Sequence, residues 1–108
     1  MTSAHRIRDL NDAFRQGGQP VDWFMTAGIH ALGAAFAHAA LQKVKAFCDF
    51  TEDNDPYGEH DFGSLTVFGL KVFWKIDCYD LNLEFGSPDP GDPSVTRRVM
   101  TIMLASEY

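Results

Sequence analysis

Residues 53–63 read D-N-D-P-Y-G-E-H-D-F-G, and this segment, the junction, separates two halves of the chain with different hydrophobic periods. Before it, apolar residues recur at the three- and four-residue spacing of an α-helix. After it, apolar and polar residues alternate, as in a half-buried β-strand. Pro56 and Gly58 predict a turn within the junction. Because helices precede the junction and strands follow it, we predict an α+β fold with two layers.

The chain has 108 residues, a length that suits one small domain over residues 1–108. Its net charge is −6. Its acids are concentrated, since residues 49–92 contain eleven Asp or Glu side chains against only Lys71 and Lys75. Such a block repels nucleic acid and anionic membranes, and it favours basic protein surfaces or cations. We therefore expect a protein partner, with no direct nucleic-acid binding and no membrane binding. The alternative is that the charge serves only solubility.

Two helices are predicted before the junction. Residues 3–15 carry one apolar stripe, and the charged side chains on the other faces, which include Asp12 and Arg15, are expected to face solvent, with a docking surface as the alternative. Residues 26–49 carry a longer stripe, in which Gly33 favours a kink or a break. A short edge strand is predicted over residues 21–25, between the two helices.

The longest uncharged segment, residues 23–42, raises the alternative of a transmembrane helix. Its Ala and Gly content and its two histidines, His30 and His38, favour a core helix instead. Cys48 and Cys78 lie in apolar patterns without the spacing of a zinc site, and we expect both to be reduced and buried. These features predict a cytoplasmic protein.

After the junction, period-two alternation predicts three strands, over residues 65–68, 70–79 and 81–85. Gly69 and Asp80 are expected to form the intervening turns. With the edge strand, this gives a three- to four-stranded antiparallel meander packed against helices. A last helix over residues 95–103, opened by Asp92 and Pro93, completes the order α-(β)-α-β-β-β-α.

One face of the predicted sheet is aliphatic, and the other carries Phe73 and Tyr79 among charged residues. Exposed aromatic side chains in such a setting indicate a protein-binding face. The alternatives are that these rings pack under a loop, or that they are buried against a second copy in a homodimer.

Carboxylates and one imidazole are dense in the junction, which is typical of metal sites and of acid–base catalysis. The spacing resembles the start of an EF-hand loop, but Tyr57 and Ser64 replace required ligands. A looser metal site, in a small metal-assisted hydrolase or a metal-binding protein, would consist of Asp55, His60 and Asp61. If the segment is extended, His60 points away from its chain neighbours, and its orienting carboxylate would be Asp55 or Asp77.

The chain contains no phosphate-binding glycine motif and no serine-nucleophile motif. We therefore predict no cofactor and no catalytic residue. The leading interpretation is a non-enzymatic, acidic protein-binding module, and the metal-assisted hydrolase is the alternative. The predicted binding residues are Asp53, Asp55, Tyr57, Glu59, Asp61, Phe73 and Tyr79.

Five segments of the chain resemble a family of small uncharacterised bacterial proteins. They are M-T-S-A-H-R-I-R-D-L-N-D-A-F-R, D-N-D-P-Y-G-E-H-D-F-G, V-F-W-K-I-D-C-Y-D, G-S-P-D-P-G-D-P and T-I-M-L-A-S-E-Y. The resemblance spans residues 1–15 and about 44–108, whereas residues 16–43 are richer in Ala and Gly than the family pattern.

The resemblance implies a domain of unknown function of alphaproteobacteria, often carried on plasmids and integrative elements. It implies no established activity, so no catalytic residue is transferred. The mobile genetic setting favours a counter-defence inhibitor of anti-CRISPR or antirestriction type. Such an inhibitor would act on a host complex that targets nucleic acid.

Overall fold

The computed structural model of the protein describes residues 3–17 and 22–108. In chain order, its elements are α1 (Ser3–Gly17), β1 (Trp23–Met25), α2 (Ala27–Ala31), α3 (Ala34–Lys45), β2 (Phe62–Val67), β3 (Leu70–Tyr79) and β4 (Arg97–Leu104). Short 3₁₀ turns lie at Pro93–Val95 and Ala105–Glu107. The predicted first helix and edge strand are confirmed. Residues 18–21, which include the first residue of the predicted edge strand, lie outside the described residues.

The four strands form one mixed sheet in the order β1-β4-β3-β2. β2, β3 and β4 form an antiparallel meander, and β1 pairs with β4 in parallel at the edge. The α+β class is confirmed, although the sheet is not purely antiparallel. Phe68 and Gly69 form the predicted first turn, and both have positive φ (47° and 82°), as a type I′ hairpin turn requires.

The helices cover one face of the sheet. The side chains that β3 and β4 direct toward this face alternate along each strand and are buried against α2 and α3. The main buried residues of this core are Ile29, Phe36, Ala40, Val44, Val72, Trp74, Ile76, Met100 and Ile102. Full burial of one large apolar side chain contributes about 1.5–3 kcal/mol, so this layer is the main source of stability.

The second predicted helix is divided at Gly33, whose φ of 96° is rarely adopted by residues with a β-carbon. α2 ends before this glycine and α3 begins after it. Within residues 3–17 and 22–108, no helix is both long enough and apolar enough to cross a membrane. The carboxylate of Glu107 accepts hydrogen bonds from Thr26 Oγ1 (2.6 Å) and Gly28 N (3.1 Å), so the last residues are fastened to the start of α2.

The strand predicted over residues 81–85 is wrong. This segment is an irregular loop, because the carboxylate of Asp80 accepts hydrogen bonds from Asn82 N and Glu84 N, which curl the chain. Leu83 has a φ of 59°, which is incompatible with a strand. The alternating apolar residues of this segment are therefore exposed rather than packed in a sheet.

The helix predicted over residues 95–103 is also wrong, because this segment forms β4, an inner strand of the sheet. Met100 and Ile102 face the helices, while Met103 on the opposite face is also buried. A strand buried on both faces shows a nearly continuous apolar run, which matches helical spacing by chance. Asp92 and Pro93 open only the 3₁₀ turn, in which the Asp92 carboxylate accepts from Ser94 N.

The cysteines are free, but they are not both buried as predicted. Cys48 lies exposed after the end of α3, and Cys78 is half-buried near the end of β3. Burial is the main factor that raises the pKa of the Cys78 thiol, despite the opposing effect of the neighbouring Arg98.

Candidate functional site

A histidine between two carboxylates fixes the junction to α1. His60 Nδ1 lies 2.8 Å from Asp12 Oδ1, and His60 Nε2 lies 3.6 Å from Asp55 Oδ2. The imidazole stacks on the ring of Phe50 at a centroid distance of 3.7 Å. His60 has a φ of 54°, so the segment is not extended at this point. Because both ring nitrogens face carboxylates, this arrangement favours an orienting role over proton transfer to a substrate.

A polar stripe on α1 supports this arrangement. Asn11 Nδ2 donates to the carbonyl of Glu59 (2.9 Å), and Arg15 Nη1 lies 3.1 Å from Asp12 Oδ1. Asn11 and Arg15 are each 1% exposed, so the prediction that the charged faces of this helix are all solvated is wrong for Arg15. Their positions relative to Ile7 were an available signal, since residues four apart share a helix face.

The junction contains several acids close together, and we call Asp53, Tyr57, Glu59 and Asp61 the outer side of the junction. The pKa values of Glu59 and Asp61 are raised, first by burial and then by neighbouring carboxylates, which include Asp55 in both cases. Asp77, on β3, also raises the pKa of Asp61, and its own nearest base is Lys75 at 3.2 Å. In the described part of the chain, Asp53, Glu59 and Asp61 form no ion pair. The fold therefore holds several carboxylates together without balancing them.

Of the seven predicted binding residues, the five in the junction differ in how much of each side chain is exposed. Tyr57 is 80% exposed and Asp53 is also exposed, whereas Glu59 and Asp61 are partly exposed. Asp55 is only 9% exposed and is occupied by His60, so it holds the junction in place rather than presenting charge.

The two predicted aromatic anchors lie on the sheet. The ring of Phe73 packs against Phe62 and Tyr108, at centroid distances of 5.2 and 5.5 Å. Tyr79 is partly buried opposite Arg97, at the end of β3. The alternative that these rings pack locally is therefore supported for Phe73. The structure groups Asp55, Glu59 and Asp61, and it packs Phe73 against Phe62, the junction residue that follows Asp61.

Of the two carboxylates proposed to orient His60, Asp55 does so, and Asp77 does not contact the ring. Asp12 was missed, because 48 residues separate it from its partner. Within residues 3–17 and 22–108, no three His, Cys, Asp or Glu side chains are arranged to hold a metal ion. The set of Asp55, His60 and Asp61 is not assembled as a metal centre.

Replacing Glu59 by Gln, or Asp61 by Asn, is expected to raise the free energy of unfolding at pH 7 by up to about 1 kcal/mol. Burial penalises the ionised form of both carboxylates in the folded state and so raises the pKa of each. As the pH falls toward the ordinary pKa values of 4.5 and 3.8, the folded state takes up protons before the unfolded state, and the penalty disappears.

The gain from either substitution should therefore shrink between pH 7 and about pH 4, as measured by urea denaturation. Glu52→Gln removes an exposed acid from the same region and is the control, with an expected change below about 0.5 kcal/mol. A loss of stability at pH 7 in both junction variants would contradict the inference that the ionised forms of Glu59 and Asp61 are penalised in the folded state.

The model of a protein family of unknown function, DUF3768, matches residues 25–107. The chain belongs to this family. No curated protein and no solved structure matches the chain. The expected resemblance is confirmed as membership of a family of unknown function. The match includes residues 25–43, where a departure from the pattern was expected, and it does not extend over residues 1–15.

The DUF3768 match contains β2, β3, β4 and the last residue of β1, together with the junction and both His60 and Asp55. It does not contain α1, which supplies Asp12 and Asn11 to the junction. Half of the arrangement that orients His60 therefore comes from outside the matched range.

Proposed function

We propose that this DUF3768 protein is a non-enzymatic, acidic module that binds another protein through the outer side of the junction. The observation that carries the proposal is the neighbouring pair Glu59 and Asp61, which, like the exposed Asp53, form no ion pair with the described residues. Tyr57, in the same segment, is 80% exposed. Exposed Tyr side chains are favoured at protein interfaces. A basic surface on the partner would complement the carboxylates.

The cost of holding the acids together supports this proposal. Like charges that are partly buried disfavour ionisation, as the raised pKa values of Glu59 and Asp61 indicate. A Lys or Arg from a partner would remove that cost on binding, and the acidic field would accelerate encounter with a basic surface. The clustered acids therefore destabilise the free domain, whereas they would stabilise a complex with a basic partner.

The concrete version of the proposal is a cytoplasmic counter-defence inhibitor encoded on a mobile element. Its motivation is the resemblance to alphaproteobacterial proteins carried on plasmids and integrative elements. A host complex that targets nucleic acid, of CRISPR or restriction type, has the basic groove that an acidic surface complements. The module would occupy that groove without binding nucleic acid itself.

The decisive experiment compares the wild-type protein with two charge variants in a pull-down from alphaproteobacterial lysate. The test variant, D53N/E59Q/D61N, removes three junction charges with nearly isosteric side chains. The control variant, D9N/Q16K/Q42K, changes the net charge equally on exposed faces of α1 and α3. We expect the test variant to lose a specific partner that the control variant retains, with both variants folded by circular dichroism.

The affinity for the purified partner should fall as salt rises from about 50 to about 500 mM, because screening weakens the charge attraction. An affinity that is independent of salt, or equal for wild type and test variant, would contradict the proposal. The counter-defence version has its own readout. Expression of the protein should restore plasmid transformation in a host with active interference, and the test variant should not.

A further inference from the structure

The loop between β3 and β4 exposes three large apolar side chains within five residues. Leu81, Leu83 and Phe85 are 58%, 44% and 73% exposed. Single apolar residues are common on protein surfaces, but several together are typical of an interaction site. Residues 80–86, which we call the apolar loop, follow β3, and none of their apolar side chains belongs to the core.

Hydrogen bonds hold the apolar loop in one backbone shape. Asp80 N donates to Phe85 O (2.8 Å), and Leu83 N donates to Asp80 O (3.0 Å). The Asp80 carboxylate accepts from Asn82 N (3.1 Å) and Glu84 N (3.0 Å), and Ser87 N donates to Cys78 O (3.0 Å) at the base. A loop that is already ordered loses less conformational entropy when it binds, so its apolar side chains yield more affinity.

The charge around the apolar loop restricts what it can bind. The segment between Lys75 and Arg97 has no Lys or Arg, and its five acids are Asp77, Asp80, Glu84, Asp89 and Asp92. The two arginines opposite the end of β3 are already engaged, since Arg97 pairs with Asp22 and Arg98 donates to Asn11 and to Pro90 O. This field opposes insertion into an anionic membrane, and it opposes contact with the same acidic loop of a second copy. It complements an apolar pocket that is bordered by basic side chains.

We propose that the apolar loop inserts Leu81, Leu83 and Phe85 into an apolar pocket, bordered by Lys or Arg, on a partner protein. This inference rests on the proposed function in taking the occupant to be a protein. It adds a division of roles. The junction supplies long-range attraction to a basic surface, and the apolar loop supplies the buried contacts that slow dissociation.

The test variant for the loop is L81S/L83N/F85S. Asn is chosen at position 83 because it tolerates the positive φ of Leu83, and the backbone hydrogen bonds of the loop do not depend on these side chains. The matched control is Phe68→Asn. Phe68 is 74% exposed, also has a positive φ (47°), and lies at the other end of β3. Circular dichroism and thermal melts establish that both variants are folded.

The probe is a phage-displayed library of a small folded domain with a randomised concave surface, selected on immobilised wild-type protein. We expect the selected domains to line this surface with aromatic or aliphatic residues and to border it with Lys or Arg. Their affinity, measured by fluorescence anisotropy, should fall about tenfold or more with the loop variant and stay unchanged with Phe68→Asn. Failure to select such domains, or equal binding to the loop variant, would overturn the proposal.

Two further outcomes would also overturn it. Loop-dependent dimerisation in analytical ultracentrifugation would assign the loop to a second copy of the chain. Loop-dependent binding to phosphatidylglycerol vesicles would assign it to a membrane. The failure of this inference is distinguishable from failure of the proposed function. If D53N/E59Q/D61N loses the lysate partner while the loop variant retains it, the junction proposal stands and the loop proposal falls.

Discussion

Arg15→Ala is expected to destabilise the protein by about 3 kcal/mol or more, which is the largest effect of any charge substitution in α1. The side chain is 1% exposed. Its Nε donates to Val44 O (3.2 Å) and its Nη2 donates to Phe47 O (3.0 Å), so it binds the carbonyl groups at the end of α3. Alanine would remove the Arg15 donor from Phe47 O and one of two donors from Val44 O, which keeps its bond from Phe47 N, and it would open a cavity.

The guanidinium also connects the core to the junction. It lies 5.4 Å from the ring centroid of Phe50 and 5.0 Å from that of Trp74, and it pairs with Asp12. Asp12 in turn contacts His60. Removal of Arg15 should therefore loosen the junction as well as lower the overall stability, and amide exchange in residues 55–61 should accelerate by more than the global change requires.

Urea denaturation measures this prediction, with two comparison variants. Arg8→Ala removes a more exposed arginine of the same helix, which pairs with the exposed Asp9, and should change the free energy of unfolding by less than about 1 kcal/mol. Arg15→Met keeps most of the volume but no donors. If Arg15→Met is as stable as wild type, the carbonyl contacts contribute nothing and the argument for Arg15 fails.

The role of Arg15 shows where prediction from the sequence stops. The period of α1 and its apolar stripe were visible in the sequence, and the helix is confirmed. The burial of Arg15 depends on the end of α3, roughly thirty residues away, and no local pattern specifies that contact. The pairing of Asp12 with His60 was hidden for the same reason. Of the two carboxylates that contact His60, only Asp55, five residues away in the sequence, was named.

The C-terminal third shows a different limit, in which the pattern was visible and its interpretation was wrong. Val99, Ile102 and Met103 fit a helical stripe, but they belong to a strand with neighbours on both sides and apolar contacts on both faces. Between β3 and β4, the alternation of leucines predicted a strand. Asp80 turned the chain instead, through contacts that Asp commonly makes with the amides that follow it. In both places tertiary context overrode the local period.

Gly63→Ala is the second prediction with a large effect, because the first residues of β2 pass directly over Trp74. A β-carbon at position 63 would lie 2.3 Å from Trp74 Nε1 and 2.6 Å from Cε2 of the same ring. Trp74 is 0% exposed and is enclosed by Phe47 and Phe50, so the ring cannot move aside. We expect a loss of about 3 kcal/mol, equivalent to about 10 °C or more in Tm.

Gly86→Ala is the matched control, since a β-carbon there meets no atom within 4 Å and the residue has no positive φ. It should change Tm by no more than about 2 °C. The mechanism is tested by a double-mutant cycle with Trp74→Phe, which removes the part of the ring nearest Gly63. Trp74 Nε1 has no hydrogen-bond partner among the described residues, so the smaller ring sacrifices no hydrogen bond.

If the clash is the cause, Gly63→Ala should cost at least about 1 kcal/mol less in the Trp74→Phe background than in the wild type. Strictly additive effects would instead mean that the alanine acts on the β2 backbone alone. The outcome bears on function, because Gly63 is the last residue of the junction. Because residue 63 is glycine, its backbone can lie directly against the Trp74 ring. This contact fixes the distance of the junction from the core, and thereby the position of Glu59 and Asp61 relative to a partner.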